Sequence, residues 1–440
     1  MTDPAMSVTP YWEVTFDADG DVDGRQRNRL LAGVAERGVR DLIVFAHGWN
    51  SDRSGATSLY SRFFAPFPRL APAARIGYVG VVWPSMRFSD EPVPDLPRSV
   101  VDGSARRPAL EKDTRTALLE TFPGRVTVVE QLARLLEERP AEESALEEFG
   151  RLARLLVEAV PPEPQALFAA DTLVEGVPQD GPAMFAGPAA AVCEEFARAL
   201  AAGLEVPSGA AGFTVPNPWD GAHELLRQAT YYAMKRRAGT VGERGLGPLV
   251  GRLARAAPAV RVHLVGHSFG GRLVSFALRG LPEGVRAVKS VTLLQGAFSH
   301  YAFAARLPHD PRAGGALQGQ QHRIDGPLVC CHSRHDTALG TVYPLASRMA
   351  GDARGAVGEP LVGKLLGAKW GAMGFGGVRA VPGTRACTLA EALAAPLPVS
   401  GCVNVDAAAV VRRGGPPSGA HSDIVHPELA RVVLAAGRVR

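Results

Sequence analysis

Short apolar runs alternate with amphipathic stretches at both ends of the 440-residue chain. Residues 42–46 (LIVFA), 76–83 (IGYVGVVW) and 260–265 (VRVHLV) are continuously apolar or nearly so, which is typical of strands buried on both faces of a sheet. The same reasoning predicts four further strands, at residues 11–16, 288–294, 327–332 and 402–411.

Helices are predicted between these strands because apolar residues recur there at helical spacing. The predicted helices cover residues 26–35, 56–66, 246–256, 272–278 and 427–436. Strands that alternate with helices favour an α/β fold, a mostly parallel central sheet flanked by helices.

The middle of the chain has a different pattern. Amphipathic helices are predicted around Val126–Leu136 and Leu146–Leu156 and at 219–237, with an Ala/Gly/Pro-rich stretch from about 161 to 217 and no strong strand. We therefore predict an α-helical cap at 88–235, inserted into a core formed by residues 1–87 and 236–440.

Composition narrows the class of protein. With 46% hydrophobic and 21% charged residues, the chain is not largely disordered. A net charge of +4 without a run of basic residues gives no indication of a nucleic-acid partner. No apolar run is long enough to span a membrane and no signal peptide is evident, so we expect a cytoplasmic protein. The five cysteines form no CxxC pair, so we expect reduced thiols. No His/Cys cluster has zinc spacing, so we expect no metal, and we also expect no cofactor.

The most informative motif is Gly266-His267-Ser268-Phe269-Gly270-Gly271. It follows a predicted buried strand directly and begins a predicted helix, the context that a nucleophile elbow requires. In so tight a turn a Cβ at Gly266 or Gly270 would collide with backbone, and Ser268 would stand clear of the sheet edge. The alternative is a glycine-rich helix start with an exposed serine.

A serine nucleophile needs a base and a group that orients the base. Asp336 follows the strand at 327–332 and is our candidate acid, although it could merely cap the next helix; Asp310 is a distant second, and Asp325 precedes the strand. His421, in the loop after the last strand, is our candidate base. His426, before Pro427, resembles a helix entry instead.

His47-Gly48-Trp49-Asn50 follows the strand at 42–46. Acyl transfer needs two N–H donors for the oxyanion, and we expect them from Phe269, directly after the nucleophile, and from Trp49. The alternative for this segment is a simple glycine turn with a packed tryptophan.

Together, HGWN, GHSFGG, SRHD and GAHSD, in this order, resemble the α/β-hydrolase superfamily over residues 38–86 and 240–440, and GHSFGG resembles its lipases and esterases. The resemblance implies Ser268 as nucleophile, His421 as base, Asp336 as its orienting acid, and His47 as a support of the oxyanion loop. It implies hydrolysis of a carboxylic ester or thioester, with a small or lipid-like acyl substrate. A serine peptidase or amidase and a non-catalytic scaffold that binds a protein partner remain alternatives.

Several other residues have two interpretations. Gln295 and His300 follow a strand near the expected pocket and could touch substrate, whereas His263 is expected to be a core histidine. The aspartates at 17, 19, 21 and 23 lack the rest of a calcium loop and predict a solvated turn. Trp370, Met373 and Phe375 could line an acyl pocket or pack on the core.

Overall fold

The computed structural model describes residues 6–49, 51–86, 110–158, 170–174, 183–185, 187–203, 217–339, 371–414 and 419–440. Ten strands lie in these ranges: β1 Tyr11–Thr15, β2 Asp41–Ala46, β3 Ile76–Val82, β4 Thr172–Val174, β5 Arg261–His267, β6 Val288–Leu294, β7 Ala313–Gly315, β8 Pro327–His332, β9 Arg385–Thr388 and β10 Gly401–Asp406.

Eight of the strands form one sheet in the order β1-β3-β2-β5-β6-β8-β10-β9. Each neighbouring pair in this sheet is parallel, which confirms the predicted parallel architecture. The carboxyl ends of all eight strands therefore meet at the same edge. Strands β4 and β7 form a separate antiparallel pair.

The helices are α1 Gly24–Glu36, α2 Arg53–Phe64, α3 Phe67–Leu70, α4 Lys112–Thr121, α5 Val126–Glu138, α6 Glu143–Val157, α7 Ala189–Gly203, α8 Pro218–Thr240, α9 Gly247–Ala256, α10 Phe269–Arg279, α11 Met373–Gly376, α12 Leu389–Ala394 and α13 Pro427–Gly437. Short 3₁₀ turns occur at Ala183–Phe185 and Gln320–Arg323, and the π-helical segment Val241–Leu246 joins α8 to α9.

Both faces of the sheet are covered by helices. Along β2, Leu42 and Val44 pack into a core shared with α1, α9 and α10, whereas Ile43 and Phe45 pack into a second core with α2, α3, α12 and α13. This two-sided burial is why the strand is apolar at successive positions instead of alternating.

The same alternation separates the two adjacent cysteines of β8. Cys330 belongs to the first core and Cys331 to the second, so the two thiols lie on opposite faces of the sheet. All five cysteines of the chain are free.

The segment between β3 and β5 is mainly helical in the part that the structure describes. Its helices share the first core, and α8 packs on α10 of the sheet region. The predicted cap boundary at 235/236 falls inside α8, which runs on to Thr240. Whether this segment acts as a cap stays a prediction.

The structure differs from the sequence-based elements in three places. The segment expected to have no strong strand contains the three-residue strand β4, which pairs with β7, and its Ala/Gly/Pro-rich part contains the helix α7, which was not predicted. The last predicted strand ends at Asp406, because the amides of Val410 and Val411 turn back to the carbonyl of Ala407.

None of the helices in the described ranges is both long and apolar enough to cross a membrane.

Candidate active site

The turn between β5 and α10 holds Ser268 in a strained backbone conformation, with φ 54° and ψ −121°. An ideal Cβ at Gly266 would lie 2.3 Å from the carbonyl oxygen of Gly270, and one at Gly270 would lie 2.0 Å from that of Ala46. Only glycine fits at these two positions, so the collisions predicted there are present. The tight turn places Ser268 at the carboxyl edge of the sheet.

Ser268, His421 and Asp336 form a continuous hydrogen-bonded chain at this edge. Ser268 Oγ–H donates to His421 Nε2 at 2.9 Å, and His421 Nδ1–H donates to Asp336 Oδ2 at 2.7 Å. Asp336 is fully buried, and its Oδ1 also accepts from the amide of Leu339 at 3.0 Å. Such a chain can move a proton from a serine hydroxyl to an imidazole and stabilise the imidazolium that forms.

The structure does not bring the alternative acids or the alternative base into this chain. His426 Nε2 pairs with Asp423 Oδ1 at 2.8 Å, beside the start of α13. Asp325 precedes β8 and pairs with Lys289, and Asp310 Oδ1 accepts from the amide of Arg312 in a surface turn. Asp336 caps the following turn through Leu339, so the helix-cap interpretation and the contact with His421 hold together.

The loop after β2 lies against the nucleophile turn. An ideal Cβ at Gly48 would lie 2.7 Å from the Cβ of Ser268, so this close approach requires glycine. The Trp49 ring contacts those of Phe269 and Tyr231, at centroid distances of 6.1 and 5.6 Å. Asn50, the last residue of the predicted motif, lies outside the described residues.

The first turn of α10 supplies amide donors next to Ser268. In the described part of the chain, the N–H groups of Phe269 and Gly270 donate to no protein acceptor, as expected for the first turn of a helix. With the positive end of the helix dipole, these donors can stabilise an anion that forms beside Ser268.

His47 supports the same loop as a neutral imidazole. Its Nδ1–H donates to the carbonyl of Gly48 at 2.8 Å, and its ring stacks on Trp83 with centroids 5.5 Å apart. Burial lowers the pKa of His47 to about 4, despite the hydrogen bond to Gly48, which acts in the opposite direction. The ring therefore stays uncharged at neutral pH.

Two supporting residues were missed or misread in the sequence. His267 Nε2–H donates to the backbone carbonyl of His421 at 2.9 Å, and burial, together with the nearby His421, lowers the pKa of His267 to about 3. Gln295 does not stand free for a substrate, since its side chain donates to Asp336 at 3.1 Å. The signal that the sequence offers for these two contacts is position alone, since His267 ends the strand β5 and Gln295 directly follows β6.

The remaining candidates in the described ranges differ in their burial. His300 is 2% exposed and packs against Tyr301 and Gly371, and Met373 lies in the first core. Phe375 is 37% exposed, and Trp370 lies outside the described residues. His263 is a core histidine as predicted, bonded to Asp41 and Ser290 at 2.9 Å each.

Two aspartates of the turn after β1 accept hydrogen bonds from nearby backbone amides. Asp17 Oδ1 accepts from the amides of Asp19 and Asp21, and Asp23 caps α1 by accepting from Gln26. No group of three metal-ligating side chains is found in the described ranges.

Fold and site together define an α/β protein with a Ser–His–Asp chain at the carboxyl edge of a parallel sheet. No family model, no curated protein and no solved structure matches the chain.

Proposed function

We propose that the protein is a serine hydrolase of the α/β-hydrolase type that cleaves a carboxylic ester or thioester. The observation that carries the proposal is the chain from Ser268 Oγ through His421 to the buried Asp336. Burying the carboxylate of Asp336 and holding Ser268 on a strained turn both cost free energy of folding. Proteins usually keep costs of this kind at functional sites.

The sheet topology also favours a substrate site at the carboxyl edge of the sheet, beside Ser268. From β2 the chain continues through α2 to β3 on one side, and from β5 it continues through α10 to β6 on the other. Strands β2 and β5 are neighbours, so the chain reverses its winding direction between them. Ligands of open parallel sheets bind outside the carboxyl ends of the strands at such a reversal, where Gly48 and Ser268 lie.

The reaction proceeds in two halves. His421 accepts the proton of Ser268 Oγ as this oxygen attacks the substrate carbonyl, and Asp336 stabilises the resulting imidazolium. The amides of Phe269 and Trp49 hold the oxyanion. The tetrahedral intermediate collapses to an acyl-enzyme and expels an alcohol or thiol, which takes the proton from His421. Water, deprotonated by His421, then releases the acid and restores Ser268.

A fluorophosphonate probe tests the proposal, because it phosphonylates activated serines and loses fluoride. Mass spectrometry should place a single adduct on Ser268, which should be absent in Ser268→Ala and slowed by about 1,000-fold or more in His421→Ala. Ser275→Ala is the matched control, since Ser275 lies on the same helix and donates to the carbonyl of Gly271. A folded wild-type protein without an adduct on Ser268 would contradict the proposal.

A substrate panel then defines the leaving group. Esters and thioesters of increasing acyl length should be turned over in a Ser268-dependent way, with anilides and peptides as the comparison. Turnover of amides at a rate similar to esters would replace the esterase by an amidase of the same mechanism.

A further inference from the structure

Gln295 is the first residue after β6, beside the nucleophile turn at the end of β5. It is 1% exposed and has φ 48°, a left-handed conformation that is unfavourable for a residue with a side chain. Ser268, directly after the neighbouring strand β5, also has a positive φ, 54°. Strain of this kind persists only where the surrounding contacts fix it.

The side chain of Gln295 is bonded to the candidate acid. Its Nε2 donates to Asp336 Oδ2 at 3.1 Å and to the carbonyl of Gly374 at 3.3 Å. Because both partners are acceptors, the amide nitrogen and not the amide oxygen must face them. The same Asp336 oxygen accepts from His421 Nδ1, so Gln295 and His421 share one acceptor atom.

The backbone around Gln295 joins the nucleophile turn to the acid loop. The amide of Ser268 donates to the carbonyl of Leu294 at 3.1 Å, and the amide of Ala297 donates to the carbonyl of Ser268 at 3.3 Å. The amide of Gln295 itself donates to the carbonyl of Cys331 on β8 at 3.2 Å. Gln295 therefore lies between the two loops that carry Ser268 and Asp336.

We propose that Gln295 is a positioning residue for the hydrolytic reaction, holding the Asp336 carboxylate in the plane of the His421 imidazole. This inference rests on the function proposed above. The amide prevents the carboxylate from rotating about its Cβ–Cγ bond, so that Oδ2 stays directed at Nδ1. A neutral donor suits this place, because a second carboxylate would repel Asp336 and a cation would weaken its pull on the imidazolium.

The pH dependence of the reaction can report this role. In the described ranges, the ionisable side chains next to Ser268, His421 and Asp336 include His267 against the carbonyl of His421, His47 in the loop after β2, and His335 directly before Asp336. Burial keeps the pKa of His267 at about 3 and that of His47 at about 4. Neither of these two titrates near neutral pH, so a difference in pH dependence between the wild type and a Gln295 variant in that range does not come from them.

Three variants separate positioning from a general structural effect. Gln295→Leu removes the donor, and Gln295→Glu can donate only while its carboxyl is protonated. Asn404→Leu is the matched control, because the Asn404 amide bridges the backbone of Val378 near the same edge without touching Ser268, His421 or Asp336. Labelling rates with the fluorophosphonate, kcat and KM on the ester found by the panel, and melting temperature are measured for each from about pH 5 to 9.

We expect Gln295→Leu to lower kcat and the labelling rate about 10- to 100-fold, the range for one lost hydrogen bond to a charged group, with KM nearly unchanged. Gln295→Glu should approach the wild-type rate at the acid end and lose activity as pH rises, because the two adjacent carboxyl groups share one proton only there. Asn404→Leu should lower the melting temperature and leave the profile unchanged.

Wild-type rates and profiles in folded Gln295→Leu and Gln295→Glu would overturn the positioning role alone. An unlabelled wild-type Ser268 would overturn the proposed function and the positioning role with it. If Gln295→Leu does not fold, the acid rescue of Gln295→Glu decides the question, and its absence counts against the proposal.

Discussion

Ser268 has a backbone conformation that favours glycine, with φ 54° and ψ −121°, at a position where the side chain is the reacting group in the proposed mechanism. Conformations of this kind cost about 1–3 kcal/mol in a residue with a Cβ. The surrounding contacts hold the turn against that cost, because the Ser268 amide donates to the carbonyl of Leu294 at the end of β6 and the Ser268 carbonyl accepts from the amide of Ala297. A residue whose backbone conformation destabilises the protein locally is usually present because it serves the function.

Ser268→Gly should therefore be more stable than Ser268→Ala by about 1 kcal/mol, since glycine removes the strain while alanine keeps it; the greater entropy of unfolded glycine reduces the gain. Urea denaturation of the two variants measures the difference in the free energy of unfolding. Neither variant should be labelled by the fluorophosphonate. Equal stabilities would show that the turn is not strained at this residue.

The buried ring of His267 should make the folded protein less stable in acid. Burial is the main reason why the pKa of the His267 ring is lowered to about 3 in the folded protein, and the neighbouring His421 adds to the effect. The ordinary value, expected in the unfolded chain, is about 6.5. Between these two values the unfolded chain binds more protons, so stability is fully present above about pH 6.5 and falls with decreasing pH, by up to about 1.4 kcal/mol per unit for this residue.

Denaturation of His267→Gln between about pH 6 and 4 tests this, because glutamine keeps a donor for the carbonyl of His421 but cannot take up a proton. We expect the stability of the variant to fall less steeply than that of the wild type, by about 1 kcal/mol per pH unit. His322→Gln serves as a control in a surface turn. An unchanged slope in His267→Gln would mean that His267 does not resist protonation in the folded protein.

At the scale of elements, the loop between β2 and α2 depends on how closely it approaches the nucleophile turn. A methyl group in Gly48→Ala would lie 2.7 Å from Ser268 Cβ and 3.1 Å from His267 Nδ1, so the loop must move away. If the Trp49 amide serves the oxyanion, the labelling rate should fall about 100-fold or more. Gly24→Ala is the control, since a methyl group in the first turn of α1 would approach only the Arg27 side chain, at 3.8 Å.

If folded Gly48→Ala kept the wild-type labelling rate, the Trp49 amide would not serve the oxyanion. The melting temperature of the same sample distinguishes a local displacement, which costs about 1–3 kcal/mol for one added methyl group, from loss of the fold.

The sequence predicted the buried strands because they are apolar at successive positions, and it placed Ser268, Asp336 and His421 at strand ends. It did not predict β9 (Arg385–Thr388), which is largely exposed and carries no apolar pattern. It extended the last strand into 407–411, where apolar side chains are buried in a turn instead. Apolar content indicates burial, but it does not by itself distinguish a strand from a buried turn.

The contacts of Gln295 and His267 could not be predicted for a different reason. Gln295 reaches Asp336 because β6 and β8 are neighbours in the sheet, and His267 reaches the carbonyl of His421 because the loop after β10 folds back over β5. Motif spacing gives the order of residues along the chain, whereas these contacts depend on lateral neighbours that only the assembled sheet defines.

At the scale of the whole molecule, a buried ionic cluster ties the helical segment to the nucleophile helix. Asp171, before β4, lies 3.0 Å from Lys235 Nζ of α8 and 3.2 Å from Arg272 Nε of α10, and its Oδ2 accepts from the amide of Ser299. All three charged side chains are at most 2% exposed. Burial alone would raise the pKa of Asp171, but Lys235 and Arg272 outweigh it and hold the pKa below its ordinary value.

The carboxylate of Asp171 should therefore fix the helical segment against the core. Asp171→Asn removes the negative charge that both cations contact, and loss of one partner from a buried ionic cluster costs about 3–5 kcal/mol. Glu138→Gln is the matched control, since Glu138 forms a surface ion pair with Arg134 within α5 and its loss should cost about 1 kcal/mol or less. Because Arg272 lies one helical turn after Ser268, the destabilised variant should also be labelled more slowly by the fluorophosphonate. Urea denaturation measures the loss of stability. Limited proteolysis mapped by mass spectrometry locates it, and the first cuts of Asp171→Asn are expected between β3 and β5. Equal stability and identical cleavage in Asp171→Asn and the wild type would show that the segment is held by its apolar contacts alone.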